Sequence, residues 1–192
     1  MIAPSLSTIP FLDRRRAGVL LHPTSLPSGD LGADAYRFVD FLVAGGFSVW
    51  QFLPIGPTHG EFGSPYQCLS VHAGNPLLIS AQLLVDEGWL GAEAAAGAQR
   101  LLRARDGFTR AASPQARAEY AEFCRVHAPW LDDYALYQAL RGEQNQSHWI
   151  AWPAPLRDRN AKALHDARAR LTTAIEQVQF EQFVFFRQWR RL

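Results

Sequence analysis

Cysteine, lysine and net charge are all scarce in this sequence, and each scarcity removes a class of function. Only Cys68 and Cys124 stand in 192 residues. Two cysteines make no disulfide scaffold, and neither lies in a Cys-x-x-Cys metal pattern, so both read as reduced, buried thiols of a cytoplasmic protein. The one lysine, Lys162, leaves Schiff-base chemistry with a single poor candidate. A formal net charge of +1 gives no surplus to select nucleic acid or an anionic membrane, and Arg187, Arg190 and Arg191 read as a solvated helix face. No apolar run approaches the roughly 18 residues of a membrane span. The charges at Arg14, Arg15 and Arg16 follow the mildly apolar residues 1–10, the reverse of a secretory signal. A phosphate loop, a dinucleotide-binding turn and a Gly-x-Ser-x-Gly elbow are all missing. The six histidines show no metal-ligand spacing. The expectation is a protein with no metal, no organic cofactor, no nucleic-acid partner and no membrane contact.

What is present is globular. Hydrophobic residues make up 48% of the chain and charged residues 19%. Aromatics are 12%, including six tryptophans. In a nearly neutral chain these are either large core residues or stacking surfaces for ligands such as sugars.

Residues 17–22 (Ala-Gly-Val-Leu-Leu-His) form a short apolar run that ends in a Pro/Gly-rich loop, which predicts a buried strand. Residues 33–44 carry Ala35, Phe38, Val39 and Leu42 at helical spacing, with Gly45-Gly46 after them as a left-handed cap. Residues 47–53 are aromatic and β-branched and stop at Pro54, a second strand. Strand, helix and strand in this space make a βαβ unit with parallel strands. Sites in such folds gather in the loops after the strand C-termini, here residues 23–32 and 54–75. Both exceed the usual span of about two to six residues, and long structured loops tend to carry function.

From Pro76 onward the pattern turns helical. Residues 77–89 are apolar with a stop at Gly88, and 92–105 read as helix. Ser113-Pro114 opens a long amphipathic stretch to Leu140, closed by Gly142. Pro129 is expected to start a new helix inside that stretch, which would place Asp132 and Asp133 in a first turn where carboxylates suit the helix dipole. Asp34 and Asp40 read as solvated helix positions. A Trp/Pro-rich segment follows at 148–155, and 160–192 is helical with a break near Gln179. The organisation expected is a flexible tail at 1–16, a βαβ unit with its loops at 17–79, and a helical subdomain at 80–192.

The most informative segment is residues 63–79, Gly-Ser-Pro-Tyr-Gln-Cys-Leu-Ser-Val-His-Ala-Gly-Asn-Pro-Leu-Leu-Ile. Its hydroxyls and amides can hydrogen-bond sugar hydroxyls while Tyr66 offers a ring to the apolar face of a pyranose. It can equally be an ordinary Ser/Asn turn with a half-buried tyrosine.

Several motifs occur in a fixed order: Leu-Leu-His-Pro-Thr-Ser-Leu-Pro at 20–27, Gly-Asp-Leu-Gly at 29–32, Trp-Gln-Phe-Leu-Pro-Ile-Gly-Pro at 50–57, Gly-Ser-Pro-Tyr-Gln at 63–67, Ala-Gly-Asn-Pro at 73–76, and Phe-Phe-Arg-Gln-Trp at 185–189. Together they resemble the amylomaltase, or disproportionating-enzyme, family of 4-α-glucanotransferases, glycoside hydrolase family 77. The resemblance covers residues 17–192 and is strongest before Ile79. It implies an α/β fold, the N-terminal part of a (β/α)8 TIM barrel, with the opening βαβ unit and a large, mostly helical insertion. A complete barrel needs about 250 residues, so the barrel is expected to be incomplete in this chain. The implied activity moves α-1,4-glucan segments between maltodextrins, in maltodextrin or glycogen metabolism, by a retaining double displacement. One carboxylate attacks the anomeric carbon, a second acts as acid and base, and a third supports the transition state.

The resemblance places those three carboxylates on later strands, beyond residue 192. Asp30, Asp34, Asp40, Glu61, Asp132 and Asp133 match no catalytic motif, so no catalytic residue is assigned here and the chain alone is expected to be inactive. What carries over is a substrate-binding edge for a maltooligosaccharide or α-glucan. Ser64 and Tyr66 match donor-side glucose-binding positions, Gln67 lies beside them, and His22, with Thr24 and Ser25, either lines the same cleft or braces it. Asn75 reads as a turn residue before Pro76. Residues 58–62 (Thr-His-Gly-Glu-Phe) depart from the family pattern, so nothing is assigned to His59 or Phe62. The alternatives are a self-contained, non-catalytic α-glucan-binding module, or an unrelated helical interaction protein, which leaves the ordered loop motifs unexplained.

Overall fold

The computed structural model describes residues 15–58 and 63–192. Most of the expected N-terminal tail, and His59, Glu61 and Phe62, therefore lie outside the described residues. Strand β1 (Gly18–Leu20) and strand β2 (Val49–Gln51) pair in parallel, with Gly18 opposite Val49 and Leu20 opposite Gln51. A Cβ on Gly18 would sit 2.7 Å from the Val49 Cβ, so the glycine lets the strands close at that register.

Helix α1 (Ala33–Ala44) joins them and has the predicted bounds. Gly46, at φ 74°, is the left-handed residue that ends it, and the Phe47 N–H returns to the Leu42 carbonyl at 2.9 Å. Phe38 of α1 meets Trp50 of β2 edge-on at 5.0 Å, and the Trp50 indole donates to the Leu21 carbonyl at 2.7 Å. Asp40 is exposed as expected. Asp34 is not a solvated position: its carboxylate accepts the Ser28 N–H at 2.8 Å and pairs with Arg37, tying the first loop to the start of α1.

The core lies among the helices. They are α2 (Ala81–Asp86), α3 (Arg100–Ala111), α4 (Pro114–Glu143), α5 (Ala154–Arg157), α6 (Ala161–Arg170) and α7 (Thr172–Arg191). The α4–α7 pair forms the most extensive interface. Trp89, Phe108, Phe123, Phe180 and Phe183 are buried in one aromatic cluster, with Trp89 and Phe108 edge-to-face at 4.8 Å. Gly107 of α3 is needed there, because a Cβ would run into the Trp89 carbonyl. The sheet, by contrast, sits at the margin, and Leu20 is 60% exposed.

Three expectations about the helical part also need correction. Residues 92–105 are not one helix: a 3-10 turn at Ala92–Ala94 gives way through Gly97 to α3, which starts at Arg100. Glycine weakens a helix at that point, and α3 takes its start from the phase that buries Ala104 and Phe108. Pro129 does not start a helix. It lies inside the 30-residue α4, on an exposed position, where tertiary packing of the turns on both sides outweighs the lost hydrogen bond. Asp132 and Asp133 are consequently mid-helix, with Asp133 paired to Arg159 at 2.8 Å. Finally, the break in the last helical stretch falls at Leu171, between α6 and α7, and Gln179 is interior to α7.

Candidate functional site

The loop after β2 folds back on itself. The Asn75 N–H donates to the Ile55 carbonyl at 2.8 Å, the Leu69 N–H donates to the Pro57 carbonyl at 2.8 Å, and Thr58 and Cys68 form an antiparallel bridge. Gly56 makes this fold-back possible, since a Cβ there would stand 2.9 Å from the Cys68 Sγ. At the far end Ser64, Pro65, Tyr66 and Gln67 form a tight turn, with the Gln67 N–H donating to the Ser64 carbonyl at 3.0 Å. Tyr66 is thereby held outward and is 74% exposed. A proline before it and a closed turn around it limit its freedom, which lowers the entropy lost when a ligand stacks on it.

Below Tyr66 lies a cleft of about 540 Å³, within the range of ligand sites. Tyr66, His72 and Val71 come from the loop, while Phe185, Phe186 and Trp189 rise from α7. Two glutamines fix the loop to that helix. Buried Gln182 accepts the Gly74 N–H at 2.8 Å and donates to the Gly74 carbonyl at 2.9 Å. Six residues on, buried Gln188 accepts the Ser80 N–H at 2.8 Å and donates to the Ser80 carbonyl at 3.0 Å. Each side-chain amide imitates a neighbouring strand and satisfies both backbone groups of a buried residue. Gly74 adds a steric condition: a Cβ would run into the Phe185 ring.

The predicted site residues separate into two groups. Tyr66 lines the cleft, with Ser64 and Gln67 on the same turn but outside the cleft wall. His22 lies elsewhere, at the head of the 3-10 turn Pro23–Ser25. Its Nδ1 accepts the Thr24 N–H at 3.3 Å and meets the Thr24 hydroxyl at 2.8 Å, while its buried Nε2 has no hydrogen-bond partner among the described residues. Asn75 caps the next 3-10 turn by accepting the Leu77 N–H at 3.0 Å, the turn role expected of it.

Sequence reasoning missed His72, which stacks on Trp130 at 5.9 Å at the cleft, and it missed the two glutamines. Their signal was available: Gln182 and Gln188 interrupt a Phe-rich helical face that should otherwise be apolar. Cys68 and Cys124 are free thiols, and burial pushes the Cys124 thiol above its ordinary value. Among the described residues no His/Cys/Asp/Glu group is arranged to hold a metal, and no helix is long and apolar enough to cross a membrane.

The parallel βαβ unit with a cleft in its second loop defines the class: an α/β protein whose candidate site lies beyond the strand C-termini. Residues 20–192 match glycoside hydrolase family 77, the 4-alpha-glucanotransferase family, and the chain belongs to that family. The 4-alpha-glucanotransferase of Thermus thermophilus is 42% identical over 91% of this chain and 38% of its own length. That of Synechocystis is 39% identical over 94% of this chain and 40% of its own length. Among solved structures, amylomaltase from Streptococcus agalactiae in complex with acarbose superposes with a TM-score of 0.84 at 30% identity, covering 92% of this chain and 40% of that one. The chain thus spans about two-fifths of the length of these relatives.

Proposed function

We propose that this chain supplies the opening portion of a 4-α-glucanotransferase barrel, with one edge of its substrate cleft. The whole protein would transfer α-1,4-glucan segments between maltodextrins in the cytoplasm by a retaining double displacement. Family membership and the named activity of the relatives support this reading, as does the acarbose-bound state of the similar amylomaltase. The observation that carries it is the exposed ring of Tyr66, held on a closed turn at the mouth of a cleft floored by Phe185 and Trp189. A pyranose can lie with its apolar face on such a ring, while Ser64 and Gln67 are close enough in sequence to meet its hydroxyls.

Retention requires a nucleophile and a separate acid/base, and transfer outruns hydrolysis when a sugar acceptor fills the site and excludes water. Our reading assigns neither carboxylate to this chain. Four of the described acidic groups are engaged in ion pairs: Asp34 with Arg37, Glu122 with Arg125, Asp133 with Arg159, and Glu143 with Arg170. The decisive assay joins residues 1–192 to the remaining portion of the Thermus thermophilus enzyme and supplies maltotriose. Release of glucose with growth of longer maltodextrins is the expected result, and residues 1–192 alone should release none. A folded chimera that leaves maltotriose intact, beside an active Thermus parent, would contradict the proposal.

A further inference from the structure

The helical part of the molecule has a second, smaller core, made by Leu136, Leu140, Trp152, Leu164 and Ala167. Beside it a cavity of about 320 Å³ opens between the end of α4, the 3-10 turn Trp149–Ala151 and α5. Tyr137 and Trp152 form one wall, their rings 5.5 Å apart and tilted by 33°. The Trp152 indole N–H donates to the Ser147 carbonyl at 3.2 Å, which fixes the plane of that ring. Trp149 stands at the mouth and is 45% exposed. The rim is charged: Arg159 donates to Asp133 at 2.8 Å, and both side chains remain more than half open to solvent. Arg159 holds φ 57°, a left-handed conformation that glycine adopts far more readily, and from that position its guanidinium reaches the carboxylate.

We propose that this cavity is a second α-glucan subsite, taking about one or two pyranose rings of a maltooligosaccharide at a place separate from the Tyr66 cleft. The proposal rests on the glucanotransferase reading for the identity of the sugar. A pyranose carries an apolar face of C–H groups and a rim of hydroxyls. The oriented Tyr137–Trp152 wall and the open face of Trp149 suit the first, and the Asp133–Arg159 pair offers an acceptor and donors to the second. A purely apolar occupant would desolvate that ion pair without replacing its hydrogen bonds, an unfavourable exchange. A polymer gripped at two places on one molecule also dissociates more slowly than one gripped at either alone.

The tryptophans report the two places separately, because Trp149 and Trp152 line this cavity and Trp189 lines the Tyr66 cleft. The experiment is a titration of the chain with maltohexaose, followed by the indole N–H resonances assigned through single Trp→Phe variants. Saturable shifts at Trp149 and Trp152 are expected, and they should persist in Tyr66→Ala. Trp149→Ala and Asp133→Asn, both at exposed positions, should raise the Kd read at Trp152 at least tenfold and leave the Trp189 response in place. Shifts confined to Trp189 would overturn this site while leaving the glucanotransferase reading intact. Equal shifts with cellohexaose would overturn it as unselective aromatic contact. Silence at every indole would also overturn it, and the chimera's glucose release decides separately whether the broader reading falls too.

Discussion

At the scale of single residues, the molecule depends on a few polar groups placed where apolar ones would be expected. Gln182→Leu preserves size but leaves the Gly74 N–H and carbonyl buried without partners. Each unmet group costs about 1–3 kcal/mol, so a loss of about 2–6 kcal/mol is predicted, read as a fall in the urea midpoint at an unchanged slope. Glu181, on the same helix, has the opposite character. Burial raises its carboxyl above the ordinary carboxylate range, against the lowering effects of a hydrogen bond from Gln177 and the charge of Arg105. The folded state therefore holds this proton more tightly than the unfolded chain does. Its contribution is fully present below the ordinary carboxylate pKa and is lost as pH rises through the raised one. Glu122, Glu143 and Asp158 are each lowered by hydrogen bonds from an arginine and contribute in the reverse sense, losing stability as pH falls. Comparing wild type with Glu181→Gln isolates the first effect: the variant should be more stable near neutrality, and the difference should vanish in acid. A difference that grew on acidification would show that Glu181 is stabilised as a carboxylate.

At the scale of elements, the proline in the middle of α4 runs against helix chemistry. Pro129 removes a helix hydrogen bond and crowds the preceding turn, at a cost of up to about 3 kcal/mol, and it lies on an exposed position. Pro129→Ala should raise stability by about 1–3 kcal/mol in thermal or chemical denaturation, and a neutral or negative result would mean that the proline is needed for the shape of α4 where it packs on α7. This element also shows why part of the fold was hidden in the sequence. The βαβ unit was legible because its punctuation is local: a Pro/Gly loop, a helical repeat, Gly45-Gly46, and an aromatic, β-branched run closed by Pro54, within which β2 occupies Val49–Gln51. Ser113 before Pro114 announced the start of α4 for the same reason, and its hydroxyl accepts the Ala116 N–H at 3.1 Å. The continuity of α4 through Pro129 was not local. It comes from Phe123 and Leu131, one on each side, both buried against α7 far along the chain. The break at Leu171 has no Gly or Pro to mark it. At the candidate site the sequence indicated Tyr66 and its turn through Ser64, Pro65 and Gln67. It did not indicate that His22 stands outside the Tyr66 cleft, because loops that follow neighbouring strands need not reach the same cavity.

At the scale of the whole molecule, the core and the sheet are unequally protected. The aromatic cluster joins α3, α4 and α7, whereas β1 and β2 make a two-stranded ribbon with exposed Leu20, and α1 exposes Phe41 and Val43. A two-stranded sheet is marginal by itself in water. Amide exchange should therefore be faster at Val19 and Trp50 than at Leu131 and Phe183, by a factor of ten or more. Joining the remaining portion of a relative should slow the sheet amides selectively if further strands cover this face. Uniform protection throughout residues 17–192 would indicate instead that the sheet is complete as it stands. The α7 helix links the core to the candidate site, since its buried side packs the core while Gln182, Phe185 and Trp189 position and floor the loop that carries Tyr66.

The claim on which the rest depends is that Tyr66 is a sugar-stacking residue of a glucan-transferring cleft. Its most direct test is kcat/KM for maltotriose disproportionation in the Thermus chimera, comparing Tyr66→Phe and Tyr66→Ala with the parent chimera. Tyr66→Phe keeps the ring and should stay within a few-fold of the parent, whereas Tyr66→Ala should lose about tenfold or more, equivalent to about 1.4 kcal/mol of transition-state stabilisation. Parent-like kcat/KM in Tyr66→Ala would contradict the account.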